Sequence, residues 1–180
     1  MSRYAAPLPA FLWLASLAVA AEWGGIEPGV TTLEQVRDRY GAPTGEKRAT
    51  LEGYDTREWV YEGSKAPAGI IRMVVEYGLL TPGGYQPSRV RLFRLEPKPA
   101  IFGRETIMQG WGAPDLAGTE KDRMTFFYKS GLLVTFGTDG ASATSMYFML
   151  PQPDPPAAGP ESAEPRPGQN PPSAPPAPRR

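Results

Sequence analysis

The chain has 180 residues, 41% of them apolar, with 22 prolines, 20 glycines, and 19 basic residues against 19 acidic ones. That length holds one or two small domains, and balanced charge offers no global field to hold nucleic acid by counterion release. Cysteine and histidine are both absent, which excludes disulfides, thiolate nucleophiles, zinc–thiolate sites, His-ligated metals and every catalytic scheme built on a histidine base.

In chain order, the first element is an export signal, residues 1–21. Arg3 supplies a sparse positive start, Ala10 to Ala20 is an apolar run of eleven residues with only Ser16 polar, and Ala18-Val19-Ala20 is an A-x-A cleavage site. The run is short for a spanning helix and Pro7 and Pro9 block its extension backward, so cleavage is expected, with retention as an anchor the alternative. An exported, cysteine-free chain fits a bacterial periplasm or secretion, with no transmembrane segment after cleavage.

The glycine-rich loop 22–30 leads into "TTLEQVRDRYGAP". Thr31 followed by Glu34 reads as a capping box. Leu33, Val36 and Tyr40 form one apolar stripe, and Gly41 and Pro43 stop the helix. Three alternating segments follow. "TREWVYE" places Trp59 and Tyr61 on one face, with Glu58, Val60 and Glu62 on the other. "IIRMVVEYG" places Met73, Val75 and Tyr77 opposite Arg72, Val74 and Glu76. "SRVRLFRLEP" turns Val90 and Leu92 inward, then slips phase at Phe93-Arg94 as a β-bulge would. Before the first and between the second and third of these, "LEGYDT" and "GLLTPGGYQPSR" read as long connections carrying Tyr54 and Tyr85.

The pattern then recurs. "MQGWGAPD" echoes "RDRYGAPT", with Ile107, Trp111, Gly112 and Pro114 standing where Val36, Tyr40, Gly41 and Pro43 stood. "RMTFFYK" matches Phe126 and Tyr128 to Trp59 and Tyr61, and "GLLVTFG" matches Leu132, Val134 and Phe136 to Met73, Val75 and Tyr77. "ATSMYFMLP" closes on a proline as the first copy does at Pro97. The second helix lacks a Ser/Thr cap and contains Gly110. Tyr40 and Trp111, at helical spacing on an apolar stripe, read as core rather than as ligand-stacking rings. The expected fold class is therefore α+β: two tandem repeats, 22–97 and 98–150, each a short helix followed by a three-stranded antiparallel meander, with the helices on one face of the sheet. The remaining segment, 151–180, holds twelve of the prolines and is expected to be disordered; its "PPAPRR" formally fits an SH3-ligand pattern.

Several of these residues carry a resemblance. Pro28, Gly29, Thr31, Val36, Gly41, Pro43, Trp59, Tyr61, Val75 and Tyr77, with Ile107, Trp111, Gly112, Pro114, Phe126, Tyr128, Leu133, Val134, Phe136 and Gly140 in the second copy, form a pattern. It resembles the small modules of the outer-membrane assembly lipoprotein BamE (SmpA/OmlA). It is also similar to the beta-lactamase inhibitor protein, which sets two such modules in tandem. The resemblance implies a helix-on-sheet layer and protein binding rather than catalysis. The BamE-like proteins carry a cysteine at the processed N-terminus and the inhibitor protein is disulfide-bonded, and this chain has no cysteine.

Catalytic motifs are missing. Gly24-Gly25 and Gly83-Gly84 form no phosphate loop, and no calcium loop is present. No catalytic residue, metal ligand or cofactor is assigned, and a carboxylate hydrolase built on such pairs as Glu58 and Glu62 is the remotest alternative. The face opposite the helices mixes apolar centres with charges, which suits either a protein partner or ordinary solvent exposure. The residues expected to bind a partner are Tyr54, Tyr85, Glu58, Val60, Arg72 and Phe127. Arg89, Arg91 and Arg94, with Lys98 and Arg104 beyond, read either as a charge-guarded sheet edge or as a patch for an acidic partner or anionic headgroups. The functional expectation is an exported envelope protein-binding module without enzymatic activity, with peripheral membrane contact left open. The alternative is an inhibitor or immunity-type protein that blocks a secreted enzyme.

Overall fold

A computed structural model describes residues 20–152. All but two residues of the signal reading, and the tail from 153 onward, lie outside them.

The phrase that recurs in the sequence ends a helix twice. Helix α1 (Leu33–Tyr40) stops at Gly41, φ 76°, whose N–H donates to the Arg37 carbonyl at 2.8 Å; α2 (Arg104–Trp111) stops at Gly112, φ 82°, bonded to Met108 at 2.9 Å. That backbone geometry belongs to glycine. Each stop is then tied to the sheet by a tyrosine: Tyr61 Oη donates to the Gly41 carbonyl and Tyr128 Oη to the Gly112 carbonyl, both at 3.1 Å. The last residue of the phrase works alike in both places. Thr44 Oγ1 accepts the Glu62 N–H, and Asp115 Oδ2 accepts the Lys129 N–H.

The N-termini of the helices differ. The capping box at α1 is formed by Thr32 and Gln35, one residue later than the Thr31–Glu34 reading, with both reciprocal bonds present. Thr31 is buried, and its hydroxyl accepts the Glu27 N–H instead. Gly103 caps α2 with no side-chain bond.

The strands overturn the expected fold class. The chain is not an α+β repeat of three-stranded meanders. It is predominantly one antiparallel sheet of eight strands, with two helices of eight residues each. The strands are β1 (Gly45–Leu51), β2 (Tyr54–Glu62), β3 (Ile70–Thr81), β4 (Gly84–Pro97), β5 (Leu116–Glu120), β6 (Arg123–Tyr128), β7 (Leu132–Phe136) and β8 (Ala143–Phe148), ordered β1-β2-β3-β4-β8-β7-β6-β5. Each helix is thus followed by four strands. The missed ones, β1 and β5, are the two sheet edges and are exposed along their whole length. An edge strand that buries neither face needs no apolar alternation, so periodicity is blind to it. Both pair with the next strand through a two-residue turn in which each central residue has positive φ (Glu52 and Gly53; Lys121 and Asp122). That is the hairpin turn whose twist matches the strands it joins.

The "long connections" are also strand. Leu79↔Gln86, Leu80↔Tyr85 and Thr81↔Gly84 pair, leaving Pro82-Gly83 as the turn. The bulge sits earlier than the phase slip suggested: Tyr77 pairs with Val90 and Glu76 with Leu92, so Arg91 is the extra residue. Val90, Phe93 and Leu95 therefore point into the core, and Leu92 does not.

The sheet halves meet at β4 and β8 through three residue pairs only, Phe93↔Phe148, Arg94↔Tyr147 and Leu95↔Met146. The rings of Phe93 and Phe148 stack at 4.4 Å, 3° from parallel. Ladder positions match across the halves, Val75↔Phe93 with Val134↔Met146 and Met73↔Leu95 with Leu132↔Phe148. The seam is therefore what a local twofold axis through Arg94 and Tyr147 would produce.

Helix residues Leu33, Val36 and Ile107 join the inward aromatics of both halves in one continuous core. Trp59 meets Tyr77 edge-on at 5.1 Å, and Phe126 meets Phe136 the same way at 4.9 Å, each geometry worth about 0.5–1.5 kcal/mol beyond its area. Tyr40 and Trp111 are partly buried against this core, and Tyr40 Oη bonds the Gly24 carbonyl at 2.7 Å. Burial raises the Tyr61 phenol to about 12 and pushes the Tyr77, Tyr40 and Tyr128 phenols up as well. Tyr77 is fully buried and its hydroxyl has no hydrogen-bond partner. Replacing Tyr77 with Phe removes that desolvated group and should raise stability by about 1 kcal/mol or more, read as an upward shift in the urea midpoint.

Entry and exit of the described chain meet at one turn. The Ala21 N–H donates to Ser130 O and the Gln152 N–H to Lys129 O, both at 2.7 Å, between β6 and β7.

Candidate functional site

Both helices lie on the core side of the sheet, so among the described residues its other face carries no layer. Strand registers place one transverse row along that face. Gly45, Val60, Val74, Arg94, Tyr147, Leu133, Phe127 and Leu116 are successive partners from β1 to β5. Apart from Arg94 the row holds no charge. Arg94 lies over the Tyr147 ring at 5.8 Å and its Nη1 donates to the Tyr147 hydroxyl at 3.3 Å. That bond, with Glu96 beside it, raises the guanidinium pKa further.

The other charges near it sit on the flanking rows and pair with one another or, for Glu96, with Arg94 of the row. Arg72 pairs with Glu62 at 3.7 Å, Arg94 with Glu96 at 3.0 Å, and Lys47 with Glu58 at 3.4 Å; Arg91 binds Glu76. Glu58 and Glu76 are direct cross-strand neighbours, a like-charge contact that costs stability and is relieved by Lys47 and Arg91 on either side. Val60 and Val74 are buried with no element above them among the described residues, so the flanking side chains cover them.

At the hairpin end of β2, Tyr54 shares the parity of Val60. It stacks on Tyr85 at 4.7 Å, 29° from parallel, and Tyr85 Oη donates to the Asp55 carbonyl. Tyr85 crosses β3 to do so, passing Gly78. A Cβ there would lie 2.5 Å from Tyr85 Oη, and Gly78 has φ +103°. Leu51 pairs with Tyr54 and Leu80 with Tyr85, and both leucines are about half exposed (45% and 54%). The two hairpin tips thus carry a single apolar cluster of Leu51, Tyr54, Leu80 and Tyr85. Replacing Gly78 with Ala should expel Tyr85 from β3 and cost about 1–3 kcal/mol. Protein melting and loss of the Tyr54–Tyr85 ring contact by NMR check it.

The expected binding residues fall into two groups. Tyr54, Tyr85, Glu58, Val60 and Arg72 lie together on the first half. Phe127 lies five strands away from Val60, about 24 Å at normal strand spacing, joined to it only by the row. Tyr147, Leu116, Leu51 and Leu80 were not singled out by the sequence reading. Tyr147 is legible in the alternation of Met146, Tyr147 and Phe148; the others depend on the unread edge strands and hairpin. The basic group is committed internally: Arg91 to Glu76, Arg94 to Glu96 and Tyr147, and Arg89 to Gln86 Oε1 and the Val30 carbonyl.

Beyond Leu95↔Met146 strands β4 and β8 part, opening a groove of ≈ 790 Å³ lined by Ile71, Arg94, Arg123, Asp139 and Tyr147 among others. Among the described residues no cluster of three or more acidic side chains is placed to hold a metal ion, and no helix is long and apolar enough to cross a membrane.

No protein-family model matches the chain, and no curated protein matches it. Among solved structures it is similar to a DUF4309 family protein, YjgB, from Bacillus subtilis, at 15% identity and a TM-score of 0.44, over 71% of this chain and 83% of that one.

Proposed function

We propose that this protein is an exported, non-enzymatic binding module of the bacterial envelope, and that it seats a protein partner on the open sheet face and the paired hairpin tips. The observation that carries the reading is the row. A stripe uncharged but for Arg94 crosses all eight strands, its charged neighbours pair with one another, and on the same half as Val60 the hairpin tips expose Leu51, Tyr54 and Leu80. A surface of this kind offers apolar area with the ionic groups already satisfied, the usual make-up of an interface centre with a polar rim. Export rests on the apolar N-terminal run and its A-x-A site, and the resemblance to BamE-like modules points the same way.

The test is a pull-down of the tagged mature protein from envelope extract. A stoichiometric partner should be retained by wild type and about tenfold less by a Leu80→Ser/Tyr54→Ser variant, an expected loss of at least about 1.4 kcal/mol. Equal retention by folded variant and wild type would sink the reading. The paired tips also favour a second reading, an inhibitor that inserts them into an enzyme cleft; in that case the captured partner is a secreted enzyme whose activity falls on binding.

A further inference from the structure

We propose that the outer edge of β5 is a docking site for an extended segment of a partner protein, which adds to the sheet as a ninth strand. This site adjoins the end of the open-face row at Leu116 but rests on the backbone of the β5 edge, and it does not need the hairpin tips of the first half.

Two edges bound the sheet, and among the described residues only one is defended. Strand β1 presents Glu46, Lys47 and Arg48 in succession, the charged dressing that keeps foreign strands away. Strand β5 reads Leu116-Ala117-Gly118-Thr119-Glu120. It contains no cation and no proline, and its five pairs with β6 run without a register shift, so no bulge twists it aside.

The groups it offers follow from the hairpin. Glu120 and Arg123 flank the two-residue turn, and in such a hairpin the flanking pair exchanges both backbone bonds. Leu116, Gly118 and Glu120 therefore bond inward to β6. Ala117 and Thr119 direct their N–H and C=O away from it, four groups aligned for a strand. The small side chains of Ala117, Gly118 and Thr119 leave the approach clear.

Side chains set the kind of segment that fits. Leu116 is 66% exposed and pairs with Phe127 at the end of the open-face row. An added strand continues that row, so its residue beside Leu116 is apolar, and its alternate residues face the other way. A second copy of this chain is a poor occupant. Two five-residue edges joined about a twofold bury far less than the roughly 1,200 Å² at the lower bound of stable interfaces, whereas a partner segment is free to extend past the edge.

The test selects phage-displayed random peptides on the immobilised full chain, then measures the synthetic winners by titration and amide hydrogen exchange. Peptides of alternating apolar pattern should protect the Ala117 and Thr119 amides. They should bind Thr119→Pro about tenfold more weakly, the cost of one lost backbone bond with a ring in the way. Should Thr119→Pro not fold by circular dichroism, Leu116→Lys, an exposed position, serves with the same expected loss. The proposal fails if no such peptide is recovered, if the winners bind both folded variants unchanged, or if they protect β1 instead. It also fails if the protein alone dimerises through β5 in sedimentation. None of these outcomes depends on Tyr54 or Leu80, so the open-face reading stands or falls separately.

Discussion

Truncating Phe148 to alanine should cost about 3–5 kcal/mol, the range for removing a fully buried phenylalanine, and should also split the unfolding transition. Phe148 is fully buried, stacks on Phe93 across the seam and lies 6.0 Å from the Trp111 ring. The seam holds only three residue pairs, whereas β3 and β4 share ten. Each half has its own helix and four strands, and the aromatic contacts at their junction couple the two within the shared core. Urea unfolding followed by tryptophan fluorescence, which includes Trp59 in the first half and Trp111 in the second, and by circular dichroism reads both effects. A single coincident transition with a loss under about 1 kcal/mol would show that the seam contributes little.

A comparable loss is expected from Gly131→Ala, for a different reason. Gly131 has φ +98°, and a Cβ there would sit 2.1 Å from the Met149 carbonyl oxygen. That obstacle is backbone, held in place because the Met149 N–H donates to Gly131 O at 2.8 Å, so no rotamer change relieves it. At Gly78 the obstacle is the tip of a tyrosine, which swings away. Strain from the positive φ and the displaced chain together should cost about 3 kcal/mol or more, with the melting temperature as the readout. A change within a degree or two of wild type would mean that the 149–152 segment moves freely from the β6–β7 turn.

The contrast between what was legible in the sequence and what was not follows from burial. Gly41 and Gly112 announced the helix ends because a left-handed stop demands glycine, and β2, β3, β6 and β7 announced themselves because one face of each is buried. Strands β1 and β5 gave no such signal. Glu46-Lys47-Arg48 is charge after charge, and its place in the sheet is set by backbone pairing with β2, which leaves no trace in side-chain pattern. The run Thr81-Pro82-Gly83-Gly84 read as the middle of a loop, yet only two of its residues turn, so Tyr85 belongs to a paired strand, as Tyr54 does beyond the Glu52-Gly53 turn. The bulge was displaced because Arg91 and Leu92 both leave the core, and alternation alone cannot say which residue is extra. Of the candidate site, Glu58, Val60, Arg72 and Phe127 were legible as one face by parity. Their alignment into a single row required knowing that β8 docks on β4, and three residue pairs between distant segments have no signature in a lone sequence.

The meeting of Ala21 and Gln152 at the neighbouring carbonyls of Ser130 and Lys129 makes the body a nearly closed ring. Its backbone could be joined there by a short linker and cut at Pro82-Gly83 without unpairing a ladder, a circular permutation that the topology tolerates. Whatever the chain is attached to at either side, the body hangs from a single point.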